Sequence, residues 1–248
     1  MVLSNAPPPV TARDPDAALL DCRDCPRLVA WRAAQSSRVP PRFAAWVGQH
    51  GFWGRPVPAF GDRDAWLAVV GLAPAAQGAN RTGRMFTGDR SGSFLFAALH
   101  RAGFAGAPDS VHRDDGLTLR GALVTAALRC APPANRPLLA ELARCRRYLS
   151  ADLEGCARLR VVLALGRVAH DAVLTVFHPE AGAPRPRFRH AAAWRLKGGV
   201  WLVDSYHVSQ QNTFTGRLTP EMFDAVLVRC RGLAATLGEA PDGDETAA

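Results

Sequence analysis

Between residues 66 and 102 the chain changes character three times. Trp66-Leu67-Ala68-Val69-Val70 is an unbroken apolar run, the pattern of a strand buried on both faces. Gly71 breaks it and opens a long loop that also holds Gly78, Gly83, Gly88 and Gly92. Apolar residues at helical spacing then run from 93 to 102, with Gly103 placed to stop them. A strand, a glycine-rich loop and a helix N-terminus together bring backbone N–H groups against a ligand. The loop is crowded with polar side chains (Gln77, Asn80, Arg81, Thr82, Arg84, Thr87, Asp89, Arg90) that a connecting turn does not need. Loops this long are uncommon unless they carry function.

The rest of the chain repeats the alternation. Further apolar strands are predicted at 122–128, 160–165 and 201–206, after the first at 66–70. Helices are predicted at 93–102, 137–153, 166–177 and 219–237, with Pro137 and Thr219-Pro220 as start signals. A short helical region is expected at 21–34, and 38–62 reads as mostly irregular. Strands alternating with helices imply right-handed βαβ units on a parallel sheet, hence an α/β fold. Ligands then gather beyond the C-terminal strand ends, where the polar segments after Val70, Leu128 and Tyr206 fall. The Pro-rich residues 1–15 and the acidic residues 239–248 are expected to be disordered tails around one domain at 16–238.

Charge narrows the partner. The chain has 248 residues, a formal net charge of +8 and 48% hydrophobic residues. The excess of Arg favours a polyanion, nucleic acid before a membrane surface. An Arg-, Ala- and Gly-rich composition also arises from a GC-rich genome. No apolar run is long enough to span a membrane. The first residues lack a basic region followed by an apolar stretch, so no signal peptide is expected and the compartment reads as a reducing cytoplasm.

In that compartment six cysteines point to metal or catalysis before disulfides. Cys22 and Cys25 form a C-x2-C pair. Cys130 follows the second strand and Cys145 lies in the next helix, so the four thiols can converge. Such a set suits zinc or an iron–sulfur cluster, and spacing does not choose between them. Cys156 and Cys230 read as buried apolar residues. Arg129, Arg144, Arg146 and Arg147 flank the set, either as phosphate contacts or as a solvated helix face.

The fourth strand ends in His207-Val208-Ser209-Gln210-Gln211-Asn212-Thr213-Phe214-Thr215-Gly216. His207 is a donor in a polar loop or a structural histidine. The Ser, Gln, Asn and Thr side chains suit phosphate or base contacts, or satisfy their own turn. Asp89, just before a helix, is either a helix-end acid or a carboxylate kept ionised for a cationic transition state. No G-x-x-x-x-G-K-[ST], G-x-G-x-x-G or G-x-S-x-G is present, which disfavours triphosphate hydrolysis, dinucleotide binding and the α/β-hydrolase reading.

These segments jointly resemble the uracil-DNA glycosylase superfamily, and most of all its family 5, the B-type enzymes. The resemblance is carried by Gly71-Leu72-Ala73-Pro74-Ala75-Ala76, by Gly78-Ala79-Asn80-Arg81-Thr82-Gly83-Arg84 and by Phe86-Thr87-Gly88-Asp89. It is completed by His207-Val208-Ser209 with Asn212-Thr213. The four cysteines match the spacing of [4Fe–4S] ligands in families 4 and 5. The resemblance implies an α/β/α sandwich on a four-stranded parallel sheet and a monomer with a structural [4Fe–4S] cluster on Cys22, Cys25, Cys130 and Cys145. It also implies monofunctional hydrolysis of the N-glycosidic bond of deaminated bases in double- and single-stranded DNA.

It implies residue roles as well. His207 would donate to the departing base, Asp89 would support the oxocarbenium-like sugar or orient water, and Asn135 would hold water for purines. Gly71, Leu72, Ala73, Pro74, Asn80, Phe86 and Ala126 would bind the base, with Phe86 stacking on it. Ser209, Gln210, Gln211, Asn212, Thr213 and Arg84 would meet DNA, with the 210–216 loop wedging the stack. Three positions depart from related families. Ala126 stands where family 4 carries a pyrimidine-reading Asn, Met85 replaces a Pro, and Ala75 and Ala76 lack the usual water-activating group. The apolar Ala126 is a family 5 trait that goes with bulkier bases, hypoxanthine and xanthine among them.

Overall fold

The computed structural model describes residues 16–179, 181 and 183–237; both predicted tails lie outside the described residues. In chain order the elements open with helices α1 (Ala17–Leu20), α2 (Pro26–Ala34) and α3 (Pro41–His50). Strands β1 (Phe60–Gly61) and β2 (Leu67–Gly71) follow, then α4 (Ala79–Thr82), α5 (Arg90–Arg101) and β3 (Ala122–Ala126). Next come α6 (Leu139–Glu154), β4 (Val161–Leu165), α7 (Arg167–Val173), β5 (Ala193–Arg195) and β6 (Trp201–Ser205). Helices α8 (Gln210–Phe214) and α9 (Pro220–Ala235) close the described chain. Among the described residues no helix is long and apolar enough to cross a membrane.

One sheet holds the order β1-β3-β2-β4-β6-β5. The four inner strands, β3, β2, β4 and β6, are parallel, as the alternation predicts. Two short antiparallel strands extend the edges, β1 on β3 and β5 on β6, so the sheet is six-stranded and mixed rather than four-stranded. Their brevity explains why the sequence hides them: two and three residues carry no period.

The continuous apolar runs are buried on both faces. Leu67 and Val69 of β2, with Val161 and Leu163 of β4, meet α5 and α9 through Leu95, Leu99, Phe223 and Val226. Ala68, Val70, Val162 and Ala164 face the other way, against Leu149 and Leu153 of α6 and Ala169 and Val173 of α7. This is the alternation of a pleated strand, with a helical layer over each face. The chain leaves β2 for β3 on one side and then crosses to β4 on the other. The carboxyl end of β2 is therefore a switch point, where open α/β sheets place their ligands.

Several boundaries differ from expectation for local reasons. Helix α5 begins three residues early because the Asp89 carboxylate caps it, accepting from the Gly92 N–H at 3.0 Å. Helix α6 begins after Pro137, at Leu139, with the Glu141 carboxylate accepting from Leu138 N–H at 2.8 Å. Cys22 and Cys25 sit before α2 rather than within a helix. The segment expected to be irregular contains the ten-residue helix α3, with Pro41 in its first turn. The loop after His207 turns directly into α8.

Candidate active site and cysteine pocket

Loops from the carboxyl ends of β2, β3 and β6 close around one cavity of about 340 Å3, within the usual range of about 300–1,000 Å3 for small-molecule sites. Leu72, Ala73, Phe86, Asp89, Asn135 and His207 are among the residues lining it. Segments more than a hundred residues apart thus share a single cleft. The cavity opens into a larger groove of about 1070 Å3. One side of that groove is formed by Arg42, Phe43 and Trp46 of α3, another by Arg90, Ser91 and Ser93 of α5 and a third by Gln210, Gln211 and Phe214 of α8. Arg42 and Arg90, both exposed, give it positive charge.

The glycines of the first loop permit close approach. A Cβ on Gly71 would lie 2.6 Å from Phe86 Cζ, so only glycine lets the ring lie against the end of β2. Gly78 leaves space in the same way for the Asp89 carboxylate. Phe86 and Asn135 are non-glycine residues with positive φ, 53° and 54°. Such conformations cost free energy and cluster at ligand sites. The Phe86 and His207 rings stand 6.1 Å apart at 30°, forming two walls of the cavity.

Electrostatics divide the two ionisable residues. Burial pushes the Asp89 carboxyl upward, opposed by the Gly92 and Ser91 N–H groups and the charge of Arg81. Burial depresses the His207 imidazole to about 4, so the ring is neutral near pH 7. Its Nδ1 is buried without a partner among the described residues. The His207 carbonyl accepts from Asn212 Nδ2 at 2.8 Å, which fixes the backbone carrying the imidazole.

Not every predicted site residue faces the cavity. Asn80 is fully buried, and its Nδ2 donates to the carbonyls of Arg32 and Ala76, both at 3.3 Å. It braces the loop against α2 and does not reach a base. Arg84 is also buried, paired with Asp115 at 2.5 Å and stacked on Phe60, so it is no DNA contact. Ala126 lies in β3 beside Gly71, in the core, and Pro74 is buried off the cavity. Asn212 and Thr213 spend their side chains on their own turn, Thr213 Oγ1 donating to Ser209 O at 3.3 Å. Ser209 and Gln211 line both cavity and groove, and Gln210 lines the groove. Sequence reasoning missed Arg42, Phe43 and Trp46. Their signal is Pro41 followed by apolar residues at 43, 46 and 47, which is helical spacing.

Cys22, Cys25, Cys130 and Cys145 all face a second, apolar pocket. Leu28 and Leu128 pack against Cys145 there. Arg32 Nη1 donates to Cys130 Sγ at 2.9 Å, the Arg129 N–H to Cys145 Sγ at 3.3 Å, and Arg147 Nη2 to Cys22 Sγ at 3.6 Å. Burial pushes the Cys130 thiol up to about 11 and that of Cys145 to about 12. Among the described residues no three Cys, His, Asp or Glu side chains close on a single point as one metal ion requires. Two of the four flanking arginines are tied to this region, and Arg144 and Arg146 lie exposed on α6. Arg129 is fully buried and ion-paired with Asp152, and Arg147 pairs with Asp24 at 2.6 Å. Cys156 and Cys230 lie apart in the packed interior, as expected.

Comparison with known proteins agrees with this architecture. The family model for the uracil DNA glycosylase superfamily matches residues 58–230. A type-5 uracil-DNA glycosylase of Thermus thermophilus is 50% identical over 216 residues, covering 87% of this chain and 95% of the relative. A type-5 uracil-DNA glycosylase of Mycobacterium bovis is 46% identical over 220 residues, covering 88% and 80%. One from Pyrobaculum aerophilum is 46% identical over 221 residues, covering 88% and 92%. With two facing walls at the carboxyl ends of a parallel sheet and this degree of likeness, the chain belongs to the uracil-DNA glycosylase superfamily, alongside its type-5 members.

Proposed function

We propose that this chain is a monofunctional DNA glycosylase that releases uracil, and also hypoxanthine and xanthine, leaving an abasic site. The observation that carries the reading is the shared cavity of Phe86, Asp89, Asn135 and His207 at the end of a basic groove. The glycosidic bond is out of reach inside a duplex, so the nucleotide must be everted, at a cost of a few kcal/mol. The groove takes the DNA backbone through Arg42 and Arg90 and through Ser209, Gln210 and Gln211. Phe214 is 66% exposed on the groove, with the Arg90 guanidinium 5.1 Å from its ring centroid. We assign it the wedge that fills the emptied stack.

The everted base lies on Phe86 with its edge toward His207. As the bond breaks, negative charge grows on the base and positive charge on the sugar. Neutral His207 donates an N–H to the base oxygen, helped by backbone N–H groups after Gly71. Asp89, ionised, faces the sugar cation and orients the attacking water. Asn135 holds that water when the base is a purine. Ala126 puts no hydrogen-bonding side chain toward a base edge, and this supports the wider substrate range.

The cysteine pocket fits a [4Fe–4S] cluster better than one zinc ion. Four thiols surround a common space without closing on one point, and cationic donors reach the sulfurs. Cys22, Cys25, Cys130 and Cys145 would hold it. When bound it supplies a cross-link between the segment before α2, the exit of β3 and α6, and no chemistry. Such a group requires reduced thiols, in keeping with a cytoplasmic enzyme.

Incubation with oligonucleotides bearing uracil, hypoxanthine or xanthine, followed by alkali, tests the activity. Strand cleavage at each lesion after alkali, and none before it, is expected. Cleavage at uracil alone would narrow the substrate range, and no cleavage at all would leave a DNA-binding module. Broad visible absorbance with four irons per chain is expected of the purified protein; a colourless protein carrying zinc would overturn the cluster.

A further inference from the structure

We propose that Arg81 is a positioning residue for the Asp89 carboxylate, itself held in place by the aromatic pair Phe43 and Trp46 of α3. This inference rests on the catalytic reading of Asp89 given above.

The geometry is specific. The Arg81 Cζ lies 4.2 Å from the ring centroid of Phe43 and 4.2 Å from that of Trp46. Residues 43 and 46 are three apart, so both rings project from one side of α3. The guanidinium then clips the active loop to itself. Its Nε donates to the Gln77 carbonyl at 2.8 Å and its Nη2 to the Gly88 carbonyl at 3.0 Å. Gly88 is the residue immediately before Asp89. A Cβ at Gly88 would stand 2.6 Å from Arg81 Nη2, so the glycine there admits the clip. Arg81 is 3% exposed, and its Nη1 is buried without a hydrogen-bond partner among the described residues.

A buried cation with one idle nitrogen is costly unless its charge is used. The charge that uses it is Asp89, whose ionised form Arg81 favours against the burial that opposes it. Other groups face Asp89 as well: the N–H groups of Gly92 and Ser91, the neighbouring Arg90 on its own helix, and neutral His207 across the cavity. Arg42 of α3 acts on Arg81 itself. Arg81 is bonded to the backbone just before the carboxylate and acts on its charge through space, without a direct ion pair. The two rings shield it from water and from DNA phosphate, so it is not one more backbone contact.

The test is single-turnover release of uracil from a uracil-containing duplex, measured across pH with duplex affinity in parallel. The variants are Arg81→Gln, Arg81→Lys, Trp46→Leu and Asp89→Asn. Displacement of a catalytic group by about 1 Å can cost on the order of 10²-fold in rate. Arg81→Gln is expected to lower the plateau rate by roughly 10- to 100-fold on that scale, with duplex affinity unchanged. Its acid limb moves to higher pH, because a carboxyl without its cation holds its proton longer. Arg81→Lys returns the limb toward its normal place but not the full rate, since one ammonium nitrogen cannot stand where both Nε and Nη2 stand to meet their two carbonyls. Trp46→Leu shifts both in the same direction by less.

Four results overturn the proposal. One is an unmoved limb in Arg81→Gln; another is a loss of duplex affinity at normal rate, which would make Arg81 a phosphate contact. A wild-type rate in Arg81→Lys would remove the two-carbonyl clip. Should Arg81→Gln fail to fold, an unmoved limb and rate in Trp46→Leu would be the fourth. A normal rate in Asp89→Asn marks a different failure, that of the catalytic reading beneath.

Discussion

The base cavity and the cysteine pocket are built from neighbouring pieces of chain and have opposite characters. The cavity is lined by two residues in costly backbone conformations, Phe86 and Asn135, and holds a buried imidazole nitrogen without a partner among the described residues. The cysteine pocket is apolar, and three of its four sulfurs accept a hydrogen bond from a nearby arginine. One region keeps strain and unspent hydrogen-bonding capacity; the other spends its capacity on itself. Mutation should therefore affect rate in the first region and folding in the second.

The largest effect sought is at His207. His207→Ala is expected to slow uracil release by at least the 10²–10³-fold typical of one preorganised electrostatic group, with duplex binding retained. Near-normal turnover would break the contrast by making the cavity histidine structural. Asp89→Asn comes next and should lose a similar order in single-turnover rate. It should also abolish the acid limb, since burial raises the Asp89 pKa and protonation on acidification removes the charge that the sugar cation needs. A limb that persists in Asp89→Asn assigns it elsewhere.

Cys145→Ser sharpens the other side of the comparison. Thermal unfolding should begin at lower temperature, visible absorbance should fall and activity should be lost only in proportion to unfolded protein. A variant with wild-type melting but a tenfold lower rate would show the pocket taking part in catalysis. The smallest effect is expected for Phe214→Ala. Base–aromatic stacking contributes about 1–3 kcal/mol, so uracil release should weaken about tenfold or more in duplex and hardly at all in single strands. Equal losses on both would remove the wedge.

The sequence revealed the architecture where physics is local. The inner strands are continuous apolar runs because helices cover both faces, and that pattern needs no partner to be read. The Asp89 cap and the Thr219 cap, whose hydroxyl accepts from Met222 N–H at 3.2 Å, are equally local. Partners far along the chain were illegible. Asn80 and Arg84 look outward-facing in a polar loop, yet the loop folds back and buries both. Their partners, the Arg32 carbonyl and Asp115, belong to other elements. Helix α3 is hidden by Pro40, Gly48 and Gly51, although the spacing of Phe43, Trp46 and Val47 betrays it.

Arg32 touches both regions at once. Its guanidinium donates to the Cys130 sulfur, and its backbone carbonyl accepts from Asn80 in the active loop. Gln77 adds two more ties between that loop and the chain just past α2, donating to the carbonyls of Gln35 and Arg38. A single short helix is thus a strut between the thiol nest and the glycine-rich loop beside the cavity. Oxidation of the thiols in the nest would be felt as slack in the strut, and the loop beside the cavity would lose the supports that Asn80 and Gln77 draw from it.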